Sequence, residues 1–145
     1  MIVAGSSEFV ERARKCRQML GGAMRQAGIV AAPGLVALDT MIDRLHQDHD
    51  NAKRLAEGLV ELGIKIDMER VQTNIVLMDL KQLRTTAPEF VSQIEKEGIK
   101  ASNFGRTTAR MVTHRGIEKE DIEYALDAVS RALLCIRKKT EKAST

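Results

Sequence analysis

The feature that most constrains this chain is the run Ala27-Gly28-Ile29-Val30-Ala31-Ala32-Pro33-Gly34-Leu35-Val36-Ala37-Leu38, twelve positions without a polar side chain. A helix over such a run is apolar nearly all round and must be buried on most sides. Pro33 lacks an amide donor and is expected to kink or divide it. A segment this apolar so early in a chain of 145 residues implies that something larger covers it. No run reaches the ~20 apolar residues of a membrane span, and Met1-Ile2-Val3-Ala4-Gly5 is too short for a signal peptide. The expected setting is cytoplasmic.

Overlapping the start of this run, Met19 to Gly28 carries three glycines and Arg25. Glycine costs a helix interior about 1 kcal/mol relative to alanine, so Gly21-Gly22 marks a break or a close backbone approach. Arg25 beside it is either a solvated side chain at a helix joint or a donor to an anion. Upstream, Ser6 or Ser7 caps a helix with Glu8 near its positive end. Phe9, Val10, Ala13, Cys16, Met19 and Leu20 recur along one helical face.

From Asp39 the pattern predicts a long amphipathic helix, with Met41, Ile42, Leu45, His49, Ala52, Leu55, Ala56, Leu59 and Leu62 along one stripe and Gly63 as its stop. His46 and His49 lie three apart within it, but a metal site needs three or four converging ligands, so a polar rim is expected there and no metal site. Ile64, Ile66 and Met68 alternate as in a strand, and Asn74 to Met78 reads as a second strand. Thr86-Ala87-Pro88-Glu89 is a capping box with proline in the first turn, opening a helix that Gly98 closes. Strands are expected at Ile99 to Ala101 and at Ala109 to His114, and a last helix from Glu118 to Arg137. Arg110, Val112 and His114 share one strand face. Taken by itself, Arg110 reads as a surface residue of an edge strand.

Aromatic residues make up 3% of the chain and tryptophan is absent, which argues against base-stacking nucleic-acid modules. The net charge of +3 comes from interleaved acids and bases, with one basic cluster, Arg137, Lys138, Lys139 and Lys142, read as a frayed helix end. No nucleic-acid or membrane partner is expected. Cys16 and Cys135 fall on apolar helix faces and read as free core thiols. The layout is α+β: a small, mainly antiparallel sheet with helices on one face.

The stretch Gly21-Gly22-Ala23-Met24-Arg25-Gln26-Ala27-Gly28 resembles the threonine aldolases, pyridoxal-phosphate (PLP) lyases of the aspartate-aminotransferase fold (fold type I). The resemblance continues through Arg44-Leu45, Asp48-His49, Asn51-Ala52 and Arg54 to Leu59, then Asn74-Ile75-Val76 and Arg110-Met111-Val112-Thr113-His114. It departs from the family at Ala23, where a third glycine is usual, and at Gln18, often a lysine. The resemblance implies the C-terminal portion of such an enzyme. Residues 1–38 would then be a helical remnant of the large cofactor domain, 39–63 a long interdomain helix, and 64–145 the small C-terminal domain. It further implies that Arg110 grips the substrate carboxylate and that Arg25 meets the PLP phosphate. The family's reaction splits a β-hydroxy-α-amino acid such as L-threonine or L-allo-threonine into glycine and an aldehyde. Its Schiff-base lysine lies upstream of the matching region, so no catalytic residue is assigned here. The chain alone is expected to be inactive and to bind PLP only as part of a complete enzyme. A homo-oligomer, or association with a full-length relative, is the expected partnership. The competing expectation is a non-catalytic oligomerisation or interaction module derived from the same family.

Overall fold

The computed structural model describes residues 3–143, with side chains described through residue 138. Two compact units emerge, the first ending at Ile42 and the second beginning at Asp43.

The first unit holds α1 (Ser7–Met19) and α2 (Gly28–Thr40). Ser6 caps α1, its hydroxyl accepting from the Phe9 amide at 3.3 Å, and Glu8 occupies the first turn, as the sequence predicts. Gly21 adopts φ +74° just beyond its end, a left-handed conformation that glycine takes without penalty. The expected break is therefore present. α2 runs through Pro33 without dividing; proline removes one amide donor, yet the flanking alanines, valines and leucines keep the helix. Neither helix buries a residue. Ile29, Val30, Leu35, Val36 and Leu38 of α2 are all more than half exposed, so within this unit nothing covers the apolar run.

The second unit contains α3 (Leu45–Glu61), β1 (Ile75–Asp79), α4 (Ala87–Glu95), β2 (Ser102–Asn103), β3 (Thr108–Val112) and α5 (Lys119–Ala143). Its three strands form an antiparallel sheet in the order β1-β3-β2. Helices α3 and α4 pack on the sheet and α5 packs on both of them, giving the expected α+β architecture. The inward positions of the strands, Val76, Met78, Ala109 and Met111, meet Ala52, Leu55, Ala56 and Leu59 of α3. Phe90 and Ile94 of α4 and Val129 and Ala132 of α5 complete that core. Burying each large side chain of this kind stabilises the fold by about 1.5–3 kcal/mol. The capping box forms as read: Thr86 Oγ1 accepts from the Glu89 amide at 3.4 Å, and Glu89 Oε2 accepts from the Thr86 amide at 2.9 Å.

Several expectations change. The long helix begins at Leu45 rather than Asp39, because residues 39–40 close α2 and residues 41–44 form a turn. The alternation at Ile64, Ile66 and Met68 does not produce a strand. Lys65 makes one isolated bridge to Asp79, after which the chain coils into a 3-10 turn at Met68–Arg70. Ile99 to Ala101 is likewise unpaired. The amides of Gly98 and Ile99 donate to Glu95 and Ile94 carbonyls at 3.0 and 3.1 Å, with Gly98 at φ +82°. This closure of α4 holds the chain off β3 until Ser102. Cys16 and Cys135 are free, as expected, but exposed rather than in the core. No residue of the stripe holding Cys16 is fully buried, and Cys135 sits between the buried positions Leu133 and Ile136 on α5.

Candidate functional site

Strand alternation divides the sheet into a helix-covered face and an open one. Leu77 opposes Arg110 across β1 and β3, and Ser102 opposes Arg110 from β2, so these three side chains form a row on the open face. Ile75 and Val112 form the next row and are 41% and 42% exposed. Arg110 therefore occupies the central strand, not an edge. A sequence shows alternation but not strand order, and this is why the edge reading fails.

The guanidinium of Arg110 lies 5.8 Å from the centre of the Phe104 ring, within range of a cation–π contact. Among the described residues, its Nε is a buried side-chain polar atom without a hydrogen-bond partner. An orphaned buried donor costs about 1–3 kcal/mol, more when charged. The same atom, half of a planar fork beside an aromatic ring, is the donor geometry that a carboxylate accepts in bidentate fashion.

Arg25 belongs to the first unit and is exposed, with no hydrogen bond or ion pair among the described residues. It sits in the turn entering α2, beside Gln26 at φ +51°. The N-terminus of α2 at Ala27 has no side-chain cap and no acid in its first turn. An uncapped, cationic helix start suits an anion such as a phosphate. Arg25 and Arg110 thus lie in different units, each with donor capacity left over. His46 Nδ1 is 2.7 Å from the Asp43 carbonyl, and among the described residues no three metal-ligating side chains converge.

Sequence reasoning missed the role of the motif residues around Arg110. Thr113 Oγ1 donates to the Asp48 carbonyl at 2.6 Å. Asn74 Nδ2 donates to the Thr113 carbonyl at 2.7 Å, and Asn51 Nδ2 donates to the Ile117 carbonyl at 2.8 Å. Asp48 is itself 5% exposed and pairs with Arg44 at 3.4 Å. The Asp48 carbonyl and the Asn51 amide side chain thus tie α3 to the segment that ends and follows β3. The available signal was that Asp48 and Asn51 fall on the same helical stripe as Leu55 and Leu59, where a polar residue must find a partner.

A fold of this class agrees with the comparisons to known proteins. The chain belongs to the beta-eliminating lyase family, whose pattern matches residues 1–83. It is 36% identical over 138 residues to low-specificity L-threonine aldolase 1 of Arabidopsis thaliana, covering 94% of this chain and 38% of that protein. It is 35% identical over 121 residues to the low specificity L-threonine aldolase of Escherichia coli (strain K12), covering 83% and 34%. The chain spans about a third of the length of these curated relatives. A solved structure of the SepCysS–SepCysE N-terminal domain complex matches 66% of this chain and 28% of its own, with a TM-score of 0.52 and 13% identity. At that identity the likeness is one of fold alone. Among the described residues, no helix is long and apolar enough to cross a membrane.

Proposed function

We propose that this chain is the C-terminal part of a threonine aldolase-like PLP lyase, which cleaves L-threonine or L-allo-threonine to glycine and acetaldehyde. The observation that carries this reading is the orphaned Arg110 Nε on the open sheet face, in the Arg-x-Val-Thr-His motif shared with that family. Arg110 takes the substrate carboxylate. Phe104 fixes the plane of the guanidinium and the central strand fixes its height. The grip orients the bond that breaks, and holding a reactant in one geometry removes an entropic part of the barrier. Arg25 and the uncapped start of α2 take the cofactor phosphate. PLP, when bound by the complete enzyme, supplies the electron sink for the bond cleavage. Residues 1–38 serve the cofactor domain, 39–63 the interdomain connection and 64–145 the small domain.

In this reading the chain alone neither binds PLP productively nor cleaves substrate. Mixed with PLP and L-threonine it should release no acetaldehyde and develop no lysine-dependent visible absorbance. A chimera in which it replaces the matching third of the Arabidopsis aldolase should release acetaldehyde. Arg110→Met in that chimera should lower kcat/KM by about 10–100-fold, the loss of one charge-assisted contact. Lysine-dependent turnover by the isolated chain would refute the assignment.

A second reading is favoured by α2 alone: a non-catalytic module that associates with itself or with a full-length relative through the exposed apolar helix. It predicts association without any gain of activity in the chimera.

A further inference from the structure

The second unit contains a cleft of about 430 Å³, bounded on one side by residues 98–100 and on the other by residues 111–114, and Arg110 is not among its lining residues. The volume falls in the range of small-molecule sites. It exists because β2 pairs with β3 only at Ser102 and Asn103, leaving a gap where Lys100 and Val112 would otherwise have met.

Both walls are pinned. Tyr124 Oη donates to the Glu97 carbonyl at 3.0 Å and Arg131 Nε donates to Glu97 Oε2 at 2.8 Å, so α5 holds the corner that ends α4. On the other side Thr113 and Asn51 anchor the wall to α3. A gap pinned from two helices is preformed, which lowers the ordering cost of binding.

The lining combines three kinds of chemistry. Leu55, Met111, Ile122 and Ala125 present an apolar floor. Thr113 directs its amide to the Asn74 carbonyl, so Val112, one residue away, directs its own amide into the gap, where it has no partner among the described residues. Lys100 and Asp121 place opposite charges at the rim; Asp121 uses Oδ2 to accept from the Glu118 amide at 2.8 Å and keeps its second oxygen.

We propose that this cleft binds a free aliphatic α-amino acid. Lys100 and the Val112 amide take the carboxylate, Asp121 takes the ammonium, and the side chain lies on the apolar floor. This site is distinct from the substrate contact assigned to Arg110, and its test does not depend on catalysis.

The experiment is an amide-resolved NMR titration of the full chain with L-leucine, with glycine and 4-methylpentanoate as paired probes. Leucine should shift the amides of Lys100, Val112 and Tyr124 saturably in the millimolar range, whereas glycine, which has no side chain for the floor, should bind at least about tenfold more weakly. Lys100→Gln and Asp121→Asn should each weaken leucine by about tenfold. Asp121→Asn should leave 4-methylpentanoate, which has no ammonium, unaffected. Arg110→Met should leave the leucine-dependent shifts of these three amides unchanged. Absence of saturable shifts, or binding that survives both rim variants, overturns the proposal. So does binding lost in Arg110→Met, which would place leucine at the substrate contact instead.

Discussion

The hydroxyl of Thr113 donates to the backbone carbonyl of Asp48 across 2.6 Å of buried space. Thr113 is 2% exposed, so neither group can turn to water if the bond is lost. Thr113→Val keeps the shape and leaves the Asp48 carbonyl only its partner within α3, a loss of about 0.5–1.5 kcal/mol. Urea unfolding of the chain should show that loss, and Thr113→Ser should recover most of it. A midpoint unchanged in Thr113→Val would mean that the bond does not hold α3 to the sheet.

Gly58 faces Leu126 where α3 crosses α5, and a Cβ there would come within 2.7 Å of Leu126 Cδ2 and 3.1 Å of its Cγ. Two effects oppose each other in Gly58→Ala. Helix propensity favours alanine by about 1 kcal/mol, and overpacking costs about 1–3 kcal/mol. The net should be destabilising by roughly 1 kcal/mol. In a Leu126→Ala background the clash disappears and the sign should reverse, which a double-mutant cycle by chemical denaturation reads directly.

Thr86 carries both halves of the α4 cap. Thr86→Ala should cost about 1 kcal/mol, seen as a Tm lowered by roughly 4–8 °C for a unit of this size. Thr86→Ser should sit near the parent protein. Calorimetry showing equal Tm values for all three would remove the cap from the account of stability.

The apolar side chains of α2 should govern self-association. Ile29 is 80% and Leu35 60% exposed, and neither supports a packed core within its unit. Ile29→Lys with Leu35→Lys should shift sedimentation toward the monomer while leaving the circular dichroism of the second unit intact. Unchanged association would move the contact to another surface.

What the sequence made legible was local chemistry. Ser6 and Thr86 announce helix starts because a cap needs only three or four neighbouring residues. Gly21 and Gly98 announce ends because they supply positive φ. The strand at Ile75 to Asp79 is legible because its apolar run has few other uses. Misreadings occur where a distant partner decides. Ile64, Ile66 and Met68 are inward or half-buried as a strand would have them, yet lack a full ladder. Ile99 is diverted because its amide is already spent on α4. Arg110 is placed mid-sheet by β2, a strand of two residues that no periodicity could reveal. The motif residues Asp48, Asn51, Asn74 and Thr113 were visible as a pattern, but their joint task required knowing that α3 and the end of β3 meet.

That meeting also sets when the unit can fold. The bonds from Thr113 to Asp48 and from Asn51 to Ile117 join residues 65 and 66 positions apart, enclosing β1, α4, β2 and β3 within one loop. Closing so long a loop costs chain entropy before any of these bonds repays it. Helices α3, α4 and α5 can form from local contacts, whereas the clasp must wait for β3 to find its place. Folding of the second unit should therefore be limited by that last closure, and removing the Thr113 hydroxyl should speed unfolding more than it slows folding.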